Sequence, residues 1–248
     1  IAIIGSTGSI GKTTLNIIKK NKNNFKVLFL STNKNINIIY NQAKKFNVKN
    51  LIVVSKPHFS ILKKKINNKK FNIYNDFSCL KKICKTKLDY TMSAISGLDG
   101  LKPTYDIIKH TKKIAIANKE TIICSWNLIQ KKLSMHKTKF IPIDSEHYSI
   151  WSLLNGFNSK NVEKIYITAS GGPFLKTPFK SLKKIKPLNA IKHPNWSMGE
   201  KISIDSSLMI NKLFEVIETR RLFDLEYKKI KILIHPKSYL HAIVKFNN

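Results

Sequence analysis

Arginine is almost absent from this chain. Of 45 basic residues only Arg220 and Arg221 are arginine, set against 14 acidic residues for a formal net charge of +31. So basic a surface suits phosphate contacts, but readers of base edges favour the bidentate fork of arginine. Lysine is instead scattered beside Asn and Ile, as over 19–24 and 63–70, the mark of a codon drift towards A and T. A solvated lysine surface with no specific nucleic-acid partner is expected, one that steers small anions. Long apolar runs are missing too. Those over 1–4 and 27–30 fall far short of the roughly 20 residues a membrane-spanning helix needs. Cysteine is scarce: Cys79, Cys84 and Cys124 lack the spacing of a metal or redox pair and cannot make a disulfide framework, so a reducing compartment is expected. There is no initiator Met, basic leader or cleavage site, which predicts a processed or trimmed N-terminus.

Hydrophobic residues make up 42% of the 248 and charged residues 24%, a globular balance that excludes wholesale disorder. A chain of this length forms one large domain or two modest ones and buries roughly 70–75% of its unfolded surface. Its first part alternates apolar runs with helical patterns: a strand over 1–4, a glycine turn, a helix over about 12–20, then strands over 27–30, 50–54, 90–94 and 113–117. Such alternation predicts a doubly wound sheet. Later come a strand over 165–169, a loop at Gly171, Gly172 and Pro173, a helical stretch over 206–223, and strands over 230–234 and 242–246. The predicted fold is α/β: a Rossmann-like, mainly parallel sheet domain over residues 1–144, followed by an α+β domain over 145–248. The chain stops directly after a strand, as a fragment would.

Gly5, Gly8 and Gly11 lie between the first strand and the first helix, where glycine lets the backbone turn tightly and approach a pyrophosphate at a helix N-terminus. The spacing is GxxGxxG, one residue longer in its first step than the usual dinucleotide fingerprint. A rival reading uses Gly11-Lys12-Thr13 as the end of a Walker loop, but Ser6 stands where that loop needs its first glycine. The second strand ends in Ser31-Thr32-Asn33-Lys34-Asn35, with no carboxylate for a ribose 2'-hydroxyl and with Lys34 for a 2'-phosphate, so NADP is favoured over NAD.

Carboxylates are informative where acids are rare. Asp144 and Glu146 follow an apolar stretch over 140–143, and an extended segment would aim both to one side; such oxygen ligands suit magnesium or manganese better than zinc. Helix capping near His147 is the structural alternative. On a helix, Asn211, Lys212 and Glu215 share one face, as a third carboxylate or as a plain surface ion pair. Ser170-Gly171-Gly172-Pro173 can aim a hydroxyl and N–H groups at an anion. His193-Pro194-Asn195-Trp196 opens a loop with the composition of a mobile lid. His235 and His241 are expected to pack or to sit at an interface.

Taken together, the motifs Gly5 to Gly11, Ala117 to Glu120, Pro142 to His147, Ser170 to Phe174, His193 to Gly199, Lys201 to Ser206, Asn211-Lys212, Glu215 and Ile234 to Pro236 resemble the 1-deoxy-D-xylulose 5-phosphate reductoisomerase family across the whole chain. The resemblance implies an NADPH- and metal-dependent oxidoreductase and isomerase of the non-mevalonate isoprenoid pathway, with a sugar phosphate as substrate. It implies that Thr7, Gly8, Ser9 and Ile10 hold the pyrophosphate, that Lys34 and Asn35 sit at the adenosine end, and that Asn118, Glu120 and Gly199 border the cofactor. Asp144, Glu146 and Glu215 would bind magnesium or manganese. Ser145, Glu146, Glu215 and Lys119 would meet the substrate near that ion, Lys119 as a catalytic cation. Ser170, Ser206, Asn211 and Lys212 would bind the phosphate, beside His193 and under Trp196. A homodimer in a bacterial cytoplasm is implied, or a plastid protein after loss of a transit peptide.

Two residues depart from the family pattern: Asn33 and Leu213 both replace glycine, so altered cofactor fit and altered helix packing beside the metal are expected. The family's C-terminal helical domain is absent from the chain, which predicts that this part alone is unstable or inactive. A P-loop phosphotransferase and an inactive relative are the alternative functions.

Overall fold

A computed structural model describes residues 1–66, 70–157, 159–190, 204, 207 and 209–247. The chain divides into two compact units, Ile1–Pro142 and Ile143–Asn248.

The first unit is a seven-stranded, wholly parallel sheet in the order β4-β3-β2-β1-β5-β6-β7, formed by β1 (Ala2–Ile4), β2 (Phe29–Thr32), β3 (Asn50–Val53), β4 (Asn72–Tyr74), β5 (Thr91–Ser93), β6 (Lys113–Ile116) and β7 (Lys139–Ile141). Parallel strands need crossovers, and helices supply them: α1 (Ser9–Lys20), α2 (Ile36–Lys45), α3 (Lys56–Lys65), α4 (Leu80–Ile83), α5 (Leu101–Ile107) and α6 (Lys119–Met135). Central strands β1, β2 and β5 are buried along their whole length, as expected for strands covered on both faces. Chain direction across the sheet reverses between β1 and β5, because β2 follows β1 to one side and β6 follows β5 to the other. That reversal opens a crevice at the carboxyl ends of these strands.

The second strand begins two residues later than its apolar run suggests. Val27 is buried and Leu28 donates its N–H to the Ile1 carbonyl, so this stretch leads into the sheet without joining a ladder. Strands β4 and β7 carry no long apolar run; they are edge strands of three residues, partly exposed.

The second unit is built on a three-stranded sheet in the order β10-β8-β9. Here β8 (Val162–Ala169) pairs antiparallel with β10 (Ala242–Phe246) and parallel with β9 (Ile230–Ile234). Helices α7 (Ser145–Leu153) and α9 (Ile210–Phe223) cover one face, and α8 (Pro187–Ala190) is a single turn. Its core joins Ile150 of α7, Val162, Ile165 and Ile167 of β8, Leu225, Ile230 and Ala242, with Val216 and Phe223 of α9 against them. The division of the chain puts Asp144 in the same unit as Glu146 and Glu215. No described helix is long and apolar enough to cross a membrane.

Candidate active site

In the first unit the glycine loop takes its shape from steric necessity. Gly5 has φ +82°, and a side chain there would also come within 2.7 Å of the Ala94 carbonyl oxygen on β5's outgoing loop. A Cβ on Gly11 would lie 2.6 Å from Ser6 Cα, so only glycine lets α1 approach the turn. Gly8 has room, with nothing nearer than 3.6 Å to a Cβ. The turn is then pinned from both flanks. Gly5 N–H donates to Ser31 Oγ (2.8 Å) and Ser6 N–H to the Ser31 carbonyl (2.9 Å). Thr7 and Thr32 share a buried hydroxyl contact at 2.8 Å. From α2, Gln42 accepts from Ser6 Oγ (2.8 Å) and donates to the Ser6 carbonyl (2.9 Å). Because the peptide is trans, holding that carbonyl also fixes the opposite direction of the Thr7 N–H. Helix α1 has no side-chain cap, so the N–H groups of its first turn are available for an anion.

A cleft of about 640 Å³ opens at this place, lined by Gly5, Thr7, Gly8, Thr32, Asn33 and Ala94, among others. Its lining also includes Asp76, whose carboxyl is held below the usual carboxylate range by hydrogen bonds from the Ser78 hydroxyl and N–H. There too Lys102 pairs with Asp106 at 2.7 Å. Volume, position at the strand-order reversal and the glycine-lined floor all fit a dinucleotide. Lys12 and Thr13 are exposed and do not line the cleft. Lys34 and Asn35 are exposed at the start of α2. Asn118 caps the start of α6, where Lys119 and Glu120 form the first turn. It donates from Nδ2 to the Gly97 carbonyl (3.0 Å) and towards Thr121 Oγ1 (2.6 Å), bracing the loop after β5. Its Oδ1 is buried without a partner among the described residues.

In the second unit three acids meet. Asp144, Glu146 and Glu215 each offer an oxygen within 4.8 Å of the others. Two oxygens on opposite sides of a magnesium-sized ion stand about 4.2 Å apart, so the three fit such an ion after a small contraction. The approach to this geometry differs from an extended segment. Asp144 is the N-cap of α7 and accepts from the Glu146 N–H (3.3 Å), which places Glu146 in the first helical turn. Capping and clustering are thus one arrangement: the cap fixes the Asp144 carboxylate beside that of Glu146. Ser145 donates to Glu146 Oε2 (2.7 Å).

Glu215 comes from α9 and is 2% exposed. Asn211 Nδ2 donates to its Oε1 (2.5 Å) and the Lys212 ammonium to its Oε2. Lys212, 6% exposed, also donates to Glu146 Oε1 at 3.1 Å. This is a buried ionic cluster and not a surface pair. His147, to which the sequence pattern assigns no role of its own, ties the two helices together. It is 1% exposed, its Nε2 donates to the Glu215 carbonyl (3.1 Å) with Thr219 Oγ1 also at 3.1 Å, and its Nδ1 lies 3.4 Å from Asp144. Leu213 points outward and is 56% exposed. Its side chain thus takes little part in packing α9 against the described residues. Ser170 accepts from the Gly172 N–H (3.4 Å) in a turn where Gly171 and Gly172 both have positive φ. His193, Trp196, Gly199 and Ser206 lie outside the described residues. His235 is used locally, its Nε2 accepting from the Tyr239 N–H at 3.0 Å.

Residues 1–125 match the family model for 1-deoxy-D-xylulose 5-phosphate reductoisomerase, and residues 140–223 the model for that enzyme's C-terminal domain. The chain belongs to the 1-deoxy-D-xylulose 5-phosphate reductoisomerase family. It is 59% identical over 250 residues to the reductoisomerase of Pelagibacter ubique and 41% identical over 247 to that of Thermodesulfovibrio yellowstonii, covering 100% and 99% of this chain and 64% of each relative. It therefore spans just under two thirds of the length of these reductoisomerases. Among solved structures, the Zymomonas mobilis reductoisomerase in complex with NADPH matches 99% of this chain and 63% of its own, with a TM-score of 0.88 at 34% identity. A reductoisomerase in complex with NADPH, fosmidomycin and magnesium matches with a TM-score of 0.89 at 34% identity, covering 99% and 63%.

Proposed function

We propose that this chain is the cofactor- and metal-binding part of an enzyme that converts 1-deoxy-D-xylulose 5-phosphate to 2-C-methyl-D-erythritol 4-phosphate, using NADPH and a divalent cation. The observation that carries the reading is the meeting of Asp144, Glu146 and Glu215 within 4.8 Å, in a family whose solved members include complexes with NADPH and magnesium. In this reading Thr7, Gly8, Ser9 and Ile10 hold the pyrophosphate on free N–H groups at the start of α1. Lys34 and Asn35 serve the adenosine end, and Asn118, Glu120 and Gly199 border the cofactor.

Asp144, Glu146 and Glu215 hold magnesium or manganese, and a bound divalent cation stabilises negative charge on the sugar's carbonyl and hydroxyl oxygens. NADPH supplies the hydride, so the protein's part is to orient it. Ser145 positions the substrate beside the carboxylates, and Lys119 supplies a proton or positive charge at the reacting oxygens. Ser170, Ser206, Asn211, Lys212 and His193 take the phosphate, whose remote binding energy is spent at the reacting centre. The bacterial relatives support a bacterial, cytoplasmic setting.

The test is Glu215→Gln in the full-length protein. NADPH oxidation with 1-deoxy-D-xylulose 5-phosphate is expected to fall by about a hundredfold or more, because a ligand charge is lost at the centre that stabilises the reacting oxygens. Manganese affinity measured by paramagnetic resonance should fall with it. Full turnover in Glu215→Gln would reject the metal site.

A further inference from the structure

Three carboxylates brought within 4.8 Å, Glu215 buried and Asp144 and Glu146 partly so, repel one another, and one ammonium already bridges two of them. Lys212 donates to Glu146 Oε1 at 3.1 Å and to Glu215 Oε2, and at 6% exposure it is almost withdrawn from water. Each of these two acids thus spends one oxygen on Lys212, and its other oxygen accepts from a neutral group, Ser145 on Glu146 and Asn211 on Glu215. A divalent cation at ligand distance from the same oxygens would lie within a few ångströms of the ammonium, and both charges cannot be held there favourably.

We infer that Lys212 is the internal counter-ion of the metal-free cluster, and that a divalent cation binds by displacing its ammonium from Glu146 and Glu215. The inference rests on the reading that Asp144, Glu146 and Glu215 form a metal site, and it goes further by making occupancy a two-position exchange. Lysine suits such an exchange, since its ammonium is a compact charge on a four-carbon stem that can swing without moving the helix, whereas arginine would hold the carboxylates in a rigid fork. Position on α9 adds to this. Asn211 stays bonded to Glu215 Oε1 at 2.5 Å, so that carboxylate keeps one fixed partner while the other oxygen changes hands. Once expelled, the ammonium has lost both partners and seeks an anion, and the substrate's phosphate is the anion at hand. Metal binding then prepares the substrate site, and by reciprocity the anionic substrate strengthens the metal.

The test compares wild-type protein with Lys212→Met, using Mn2+ alone and no substrate. Removing the competing cation should tighten Mn2+ binding about tenfold, the size of a typical coupling between two ligands. The second measurement needs no variant and so survives poor folding of Lys212→Met. In wild-type protein treated with an amine-acylating reagent, Lys212 should be protected without metal and become reactive at saturating Mg2+, read by mass spectrometry of its peptide. Equal or weaker Mn2+ affinity in folded Lys212→Met, or Lys212 still protected in the Mg2+-loaded protein, would overturn the exchange. Failure of both folded proteins to bind Mn2+ at all would instead remove the metal reading beneath it.

Discussion

The two units make a site in opposite ways. In the first, strands β1, β2 and β5 are buried throughout, and the cleft at their ends is shaped by backbone: a glycine turn, hydroxyls and an uncapped helix start. In the second, β9 is buried only at Ile230 and its other four residues are exposed, and the candidate site is made of ionised side chains from α7 and α9 with Asp144 at the start of α7. Where backbone does the binding, what matters is the absence of a side chain; where charge does it, what matters is which helices meet. The largest effect should therefore come from adding one methyl group to the first unit. Gly5→Ala meets both a φ of +82° and the Ala94 carbonyl at 2.7 Å, and should cost about 2–6 kcal/mol of unfolding free energy from combined strain and overpacking. Gly8→Ala, with open space around its Cβ, should stay within about 0.5 kcal/mol of wild type yet weaken NADPH binding, because the added methyl stands where the proposed pyrophosphate site needs close backbone approach. Thermal unfolding and a fluorescence titration with NADPH separate the two; equal stabilities would show that the turn can relax.

The same contrast decides how much of the molecule is legible in its sequence. Glycines at 5, 8 and 11 are visible as spacing, and the parallel sheet as alternation, because both are local. The carboxylates are visible only through their rarity among 45 basic residues and through the family motifs, since 69 residues separate Glu146 from Glu215 and nothing local joins them. Strand β4 leaves no signal and β7 only the short apolar stretch over 140–143, because short edge strands need little apolar sequence. Gln42 is hidden for another reason: a glutamine on a helix looks solvated, and its two bonds to Ser6 exist only after α2 has crossed back over the sheet. His147 is masked by its acidic neighbours. A histidine three residues after Asp144 reads as part of the motif, whereas its Nε2 reaches α9 and touches the backbone of the third carboxylate.

His147 offers the sharper test of the second unit. His147→Leu keeps the volume roughly but leaves the Glu215 carbonyl and Thr219 without that partner, which should cost about 1–3 kcal/mol. If charge placement rather than packing is what α7 and α9 share, Mn2+ affinity should also fall about 10- to 100-fold, as for other groups that orient metal ligands. A stability loss with unchanged Mn2+ affinity would reduce His147 to a packing residue and erase the contrast between the units.

The smallest effect lies in the first unit's scaffold, away from the cleft. His110 is half-buried, with Nε2 lacking a partner among the described residues. Burial lowers its pKa below the usual histidine value; repulsion from Lys109, His136 and Lys81 adds to this and Asp106 opposes it. The folded state thus prefers the neutral ring. Above about pH 6.5, the ordinary value for an unfolded chain, both states are neutral and the preference has its full stabilising effect. As pH falls through the lowered folded value, the unfolded chain takes up a proton that the folded one resists, and stability declines. His110→Asn should flatten the decline between pH 7 and 5 in denaturant melts without altering NADPH binding, because His110 lies outside the cleft lining. A slope that persists unchanged in His110→Asn would assign it to other groups, His136 first, whose pKa is also lowered by burial and by Lys132, Lys87 and Lys109.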